Sequence, residues 1–152
     1  MFSQKAIALK PIGFVHTSFD EEEIKASLNG VDGVIEVLEG YSSGLKCIEG
    51  FSNIMVFAFL DRVSDEERKV LRVRFRRLKR FGIELDELPE VGVFCSDSPH
   101  RPNPIALSIV KLVKRSGRFL HVEGLDLYNG TPVLDLKPYT PDRSLRETRL
   151  PN

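Results

Sequence analysis

The sequence predicts a mainly β fold, a small β-barrel with short helices and one longer basic helix, and three observations carry that prediction. Through the second half of the chain, short apolar runs alternate with turn residues at intervals of about eight to twelve positions, the spacing of a strand-rich domain. The run Ile54 to Leu60 is apolar on both faces, which places it in the middle of a core. Helix start and stop signals surround an apolar stripe most completely between Ser64 and Gly82. Many short strands with few helices favour closure into a barrel, because closure removes exposed strand edges.

Taken in order, Ala6 to Ser18 is β-rich, with Pro11 bending its first half and Gly13 suggesting a bulge. Phe19 to Gly33 is acidic and then turn-rich, either a loop or one short helix followed by a hairpin. Val34 to Leu38 reads as a short strand, and Tyr41 to Gly50, with Ser42 as cap, allows about one helical turn before Phe51. Ser64 and Glu67 form a capping box, Leu71, Phe75 and Leu78 make a helical stripe, and Gly82 suits the C′ position. The alternation Leu71, Val73, Phe75 pulls the same segment towards a strand. Arg68, Lys69, Arg72, Arg74, Arg76, Arg77, Lys79 and Arg80 put eight cations into thirteen residues there, which is either an RNA-binding stripe or a solvated face paired with acidic loops.

Val91 to Phe94 then leads into the loop Ser96 to Pro104, and the strand beginning at Ile105 leaves it. Pro99, Pro102 and Pro104 fix their own φ and restrict Ser98, Arg101 and Asn103 before them. A guanidinium and a carboxamide are thus presented on a stiff backbone that loses little entropy on gripping a polar ligand. A meander follows: Ile105 to Val113, a turn at Arg115 to Arg118, Phe119 to Leu125, an Asn129-Gly130 hairpin turn, and Thr131 to Leu136. Leu120, Val122 and Gly124 share one side of their strand, His121 and Glu123 the other.

The 152 residues suffice for one domain spanning the chain, 1–152, with a tail, 140–152, that is either flexible or wraps a partner through Arg143, Arg146 and Arg149. Twenty-two basic and 22 acidic residues cancel, so global charge points to neither nucleic acid nor membrane. Cys47 and Cys95 sit in apolar neighbourhoods, which predicts buried thiols, and their lack of metal-ligand spacing points to a reducing compartment and no metal. No apolar run approaches the roughly 20 residues of a membrane span, and the first residues lack a signal-peptide pattern, so the expected location is cytoplasmic.

Two motifs carry a resemblance. Ser98-Pro-His-Arg-Pro-Asn-Pro-Ile-Ala-Leu-Ser108 and Gly124-Leu-Asp-Leu-Tyr-Asn-Gly-Thr-Pro-Val-Leu-Asp-Leu-Lys-Pro-Tyr139 resemble the TsaA-like, TrmO-type family of S-adenosylmethionine-dependent tRNA methyltransferases. Shorter matches lie at Ile12-Gly13, Tyr41 with Gly44-Leu45, and Ile48 to Ser52. The resemblance implies a barrel that binds S-adenosylmethionine without a Rossmann fold, a homodimer, and methylation of N6 of threonylcarbamoyladenosine beside the tRNA anticodon. Independently, no Gly-x-Gly-x-x-Gly opens a helix after a strand, which disfavours a Rossmann-type methyltransferase.

The resemblance also implies site residues. Asn103 would orient the accepting amine, Arg101 would hold a carboxylate, and Asp126 would accept bonds from an adenine amine or the methionine ammonium. Asp126 has a second reading as a turn residue. The implied cofactor set adds Asp61, Arg62, Asp97, Ser98 and Leu107, with Gly124, Leu125 and Leu127. Three departures stand out: Ser96-Asp97 replaces the family's usual Thr-Arg, the early loop has no Pro-Arg-Gln, and Asp61-Arg62 falls where His-Gln is common. An aspartate reverses the charge offered to a methionine carboxylate, so Arg62 or Arg101 would have to supply the cation. His100 is the histidine to test as an acid or base, whereas Asp135 and Lys137 suit a structural salt bridge. Two other activities fit the same residues: a paralogue that binds cofactor or RNA without transferring methyl, and a small-molecule methyltransferase on this barrel.

Overall fold

Alternating burial along the strands organises the larger of two compact units. The computed structural model describes residues 2–76, 82, 84 and 88–144; one unit is Met1–Ala58 with Leu107–Asn152, the other Phe59–Ala106. Eight strands occur among the described residues: β1 (Gly13–His16), β2 (Val31–Val37), β3 (Asn53–Phe59), β4 (Arg72–Arg74), β5 (Glu90–Gly92), β6 (Ile105–Ser116), β7 (Phe119–Leu125) and β8 (Pro132–Pro138). Six close a barrel in the order β1-β2-β7-β6-β3-β8, with β8 pairing back on β1, while β4 and β5 form a separate ribbon. The fold is a mainly β, six-stranded antiparallel barrel with short helices, as the strand pattern predicts.

Val15, Ile35, Val37, Ile54, Val56, Val110, Leu120, Val122, Leu125 and Val133 point inward and are almost fully buried. A six-stranded barrel is narrow, and such side chains fill it without leaving a channel. Ladder shifts at Val31/Gly33, Phe57/Ala58 and Leu112/Lys114 are bulges that bend the strands to close it. Gly13 instead sits in regular register opposite Val37. On β3, Ile54, Met55 and Val56 are buried in succession, so both faces of that strand are covered.

The Phe19 to Gly33 segment resolves into α1 (Glu21–Ala26), capped by Asp20, whose carboxylate accepts from Glu23 N at 2.8 Å while Glu23 reaches back to Asp20 N at 3.2 Å. The turn expected near Ser42 is a 3-10 turn, Glu39–Leu45, in which the Ser42 hydroxyl donates to the Glu39 carbonyl instead of capping. Both cysteines are exposed, contrary to expectation. Cys47 begins and Cys95 ends a surface 3-10 turn, where the alternation that buries strand residues does not operate.

The Asn129-Gly130 turn is real, but it does not join two paired strands. Thr131 N donates to Tyr128 O and Gly130 takes φ +84°, while Asn129 keeps a negative φ. The tight type I′ hairpin needs positive φ at both central residues, so this turn instead carries the chain from β7 across to β1 and β3. The two-residue hairpin is Gly117-Arg118, between β6 and β7.

In the second unit the capping box forms, with Ser64 N donating to Glu67 Oε1 at 3.1 Å and Glu67 N to Ser64 Oγ at 3.2 Å. The longer helix does not follow over the described residues. One 3-10 turn, Glu67–Lys69, gives way to extended Val70 and then to β4, where Val73 pairs with Val91. The β-branched residues and the Leu71, Val73, Phe75 alternation prevail once a partner strand is present. The rest of the expected helix, 77–81, and tail residues 145–152 with Arg146 and Arg149 lie outside the described residues. Among the described residues, no helix is long and apolar enough to cross a membrane.

Replacing fully buried Leu120 by alanine is expected to lower the unfolding free energy by about 2–5 kcal/mol, read from urea denaturation.

Candidate functional site

Within the second unit, the loop Ser96 to Pro104 is held by donors that its own backbone lacks. Three of its nine residues are prolines without an N–H, so side chains serve its carbonyls. Arg101 Nη1 donates to Ser96 O at 2.8 Å and Ser98 O at 3.2 Å, and Arg68 Nε to Pro102 O at 2.8 Å. His100 Nε2 lies 2.5 Å from Glu67 Oε2. Leu60 N donates to Pro104 O at 2.8 Å, tying the ends of the insert together. Hydrogen bonds from the Ser64 backbone and hydroxyl, then the charge of His100, hold the Glu67 carboxyl below the usual glutamate range. Glu67 and Arg68 thus brace the loop from one turn.

Ser98 and Arg101 are brought together here, with Arg101 shaping the loop as well as displaying charge. Its remaining guanidinium edge, Nε with Nη2, takes no partner among the described residues. Asp97 and Asn103 are exposed in the same loop, and Asp61 and Arg62 are exposed in the turn after β3.

The remaining sequence-predicted residues stand on the barrel unit. Leu107 on β6 is half-exposed. Leu125 and Leu127 bury their side chains in the core, so only their backbone can meet a ligand. Gly124 adopts φ +93°, and its carbonyl carbon passes where a Cβ on Gly30 would sit, at 2.4 Å. Gly30 is therefore needed for the path of the Gly124-Leu125 backbone. Asp126 is exposed, and one of its oxygens accepts from the hydroxyl of Ser108, which is only 5% exposed. Ser108, at the end of the first motif, fixes the carboxylate with one oxygen engaged and one left over. Asp135 and Lys137 pair at 3.2 Å, the structural salt bridge expected of them. A groove of about 520 Å³ on this unit, lined by His16, Thr17, Asp32, Lys114, His121 and Glu123, contains none of the predicted site residues.

The model of the tRNA-methyltransferase O N-terminal domain matches residues 15–143. The chain belongs to the TrmO/TsaA-like family. Among its TrmO-type relatives is a probable S-adenosyl-L-methionine-binding protein of Pyrococcus abyssi, 37% identical over 148 residues, covering 93% of this chain and 72% of that one. A tRNA (adenine(37)-N6)-methyltransferase of Rattus norvegicus is 51% identical over 53 residues, 35% of this chain and 12% of that one. The crystal structure of TrmO from Pseudomonas aeruginosa shares the fold at TM-score 0.71 and 24% identity, covering 97% of this chain. The chain spans 62% of the length of that solved TrmO.

Because the Glu67 pKa is lower folded than unfolded, its ionised form adds stability above the ordinary glutamate pKa, and that stability is lost as pH falls through the lowered value. Glu67→Gln is expected to lower the urea midpoint at neutral pH, with the difference from wild type vanishing in acid.

Proposed function

We propose that this TrmO-family chain binds S-adenosylmethionine and methylates N6 of threonylcarbamoyladenosine beside the anticodon of a tRNA. The observation that carries the reading is the braced loop Ser96 to Pro104, in which a ligand-gripping sequence is ordered by Arg101, Arg68 and Glu67. The names of the Pyrococcus and Rattus relatives support the cofactor and the substrate respectively.

The donor set suits such a cofactor. When bound, S-adenosylmethionine supplies a methyl group already activated by a positive sulfur, so the chain has mainly to bind and align. From the second unit, Arg101 offers its remaining guanidinium edge to a carboxylate, Ser98, whose backbone N–H and carbonyl are spent within the loop, offers its hydroxyl proton, and Asp61, Arg62 and Asp97 contribute charge. Asn103 is assigned the orientation of the accepting nitrogen. On the barrel unit, taken by itself, Asp126, oriented by Ser108, is assigned acceptance from an amine or ammonium, the Gly124, Leu125 and Leu127 backbone is assigned to ligand binding, and Leu107 offers an apolar surface. We further propose a homodimer, supported by the outward row Ile109 and Val113 on β6, which is half-exposed.

A second reading, cofactor binding without methyl transfer, is favoured by one observation: Asp97 stands where the family usually has arginine, and Arg101 spends one nitrogen on its own loop.

S-adenosylmethionine at about a hundred times its dissociation constant adds roughly 2.7 kcal/mol, and a rise of several degrees in the thermal midpoint is expected. Arg101→Ala and Asp126→Asn should each reduce that rise. Labelled methyl should then pass to threonylcarbamoylated tRNA and not to unmodified tRNA. A shift without transfer supports the second reading, transfer to a small molecule alone moves the substrate class, and no shift overturns both readings.

A further inference from the structure

Beside the braced loop, in the same unit, the β4–β5 ribbon displays cations and exposed apolar side chains that the proposed cofactor site does not use. Arg72 and Arg74 lie two residues apart in β4 and so share one face, opposite Gly92 and Glu90 in register. Arg72 meets Glu90 only at 3.4 Å with 77% of its side chain exposed, a contact that an incoming phosphate can displace. Arg74 Nη1 donates to the carbonyl of buried Leu88 at 2.6 Å, which steadies the guanidinium without neutralising it. From Arg68 to Arg76 the chain carries five cations and no acid. Around this ribbon Leu71 is 59% exposed, Phe75 39% and Phe94 78%.

Phe94 is held out on a firm support. It sits in the 3-10 turn Val93–Cys95. Val93 N donates to Leu71 O at 3.0 Å, the Ser96 backbone N–H and hydroxyl both donate to Val93 O at 3.2 Å, and Ser96 O accepts from Arg101. Ribbon, aromatic turn and proline loop are therefore one hydrogen-bonded piece. Cations that track a backbone beside a rigid, exposed aromatic ring are the two elements of single-stranded nucleic-acid binding.

We propose that this ribbon and turn are the RNA-docking face: Arg72 and Arg74 take phosphates, and Phe94 stacks on an unpaired base in the loop of a structured RNA. The inference deepens the RNA-substrate reading above and rests on it for the identity of the RNA, though not for the binding itself.

The test measures binding of an RNA hairpin with unpaired adenosines in its loop across a salt series, for wild type, the double variant Arg72→Glu with Arg74→Glu, and Phe94→Ala. The double variant should weaken binding and flatten the slope of log affinity against log salt by about 0.7 per lost phosphate contact. Phe94→Ala should lose about five- to 150-fold in affinity with the slope unchanged. All three proteins should keep the same thermal shift with S-adenosylmethionine, which also shows that the variants fold. Wild-type-like RNA affinity in both variants overturns the proposal. So does a change in sedimentation of Phe94→Ala without loss of RNA binding, which would assign the face to a second copy. RNA binding by a wild type that gives no cofactor shift would sink the methyltransferase reading and leave the docking face standing.

Discussion

The guanidinium of Arg101 closes the proline loop on itself, and the order of the loop's first half rests on it. Prolines make a loop stiff, but each removes an N–H, so a loop with three of them carries carbonyls that its own backbone cannot satisfy. Charged donors fill that deficit well, because hydrogen bonds from a cation are shorter and stronger than those between neutral groups. Arg101 serves the carbonyls of Ser96 and Ser98, and Arg68 serves that of Pro102. The proline spacing thus supplies rigidity and the arginines supply the missing hydrogen bonds; neither would order the segment alone.

The Ser64–Glu67 capping box takes on a second task in this arrangement. Its carboxylate satisfies Ser64 N at 3.1 Å through one oxygen and reaches His100 through the other. A motif that ordinarily starts a helix here anchors a distant loop. The helix itself is dispensable for that purpose: one turn places Glu67 and Arg68 side by side, after which the chain turns extended and enters the ribbon. A carboxylate held in this way prefers its ionised form, which couples the order of the loop to the charge on Glu67.

What could be read from the sequence follows from the range of each signal. Period-two burial is local, so β7 falls at Phe119–Leu125 as expected and the buried run over Ile54 to Leu60 becomes β3 with little change. The barrel class follows from many such segments together. Strand partnership is not local: Asn129-Gly130 announces a turn, yet nothing in those residues says that β8 will pair with β1 and β3. A capping box likewise fixes only a first turn, and the fate of Arg72 to Arg74 was decided by Val91, eighteen residues beyond Val73. Among site residues, the stiff presentation of Arg101 on the loop was legible because prolines restrict the residues before them, whereas its bonds to Ser96 O and Ser98 O were not. The Ser108 hydroxyl on Asp126, across 18 residues, and Arg68 on Pro102, across 34, had no sequence signal. The exposed cysteines were misread because apolar neighbours bury a thiol only where the backbone alternates.

Arg101 both shapes the loop and displays charge, but Asp97 displays charge alone, and that difference bears on the departure there. Arg101, Arg68, Glu67 and the prolines hold the backbone, whereas the side chains of Asp97 and Asn103 are exposed and take no part in the bracing among the described residues. An exchange of arginine for aspartate at position 97 therefore alters the potential that a ligand meets while leaving the path of the chain intact. A carboxylate-bearing ligand is then held less strongly at that position, and a positively charged sulfur more strongly. If the loop holds a ligand as proposed above, a pre-ordered backbone makes its selectivity a matter of displayed charge and not of ordering entropy, so a change at position 97 acts without refolding.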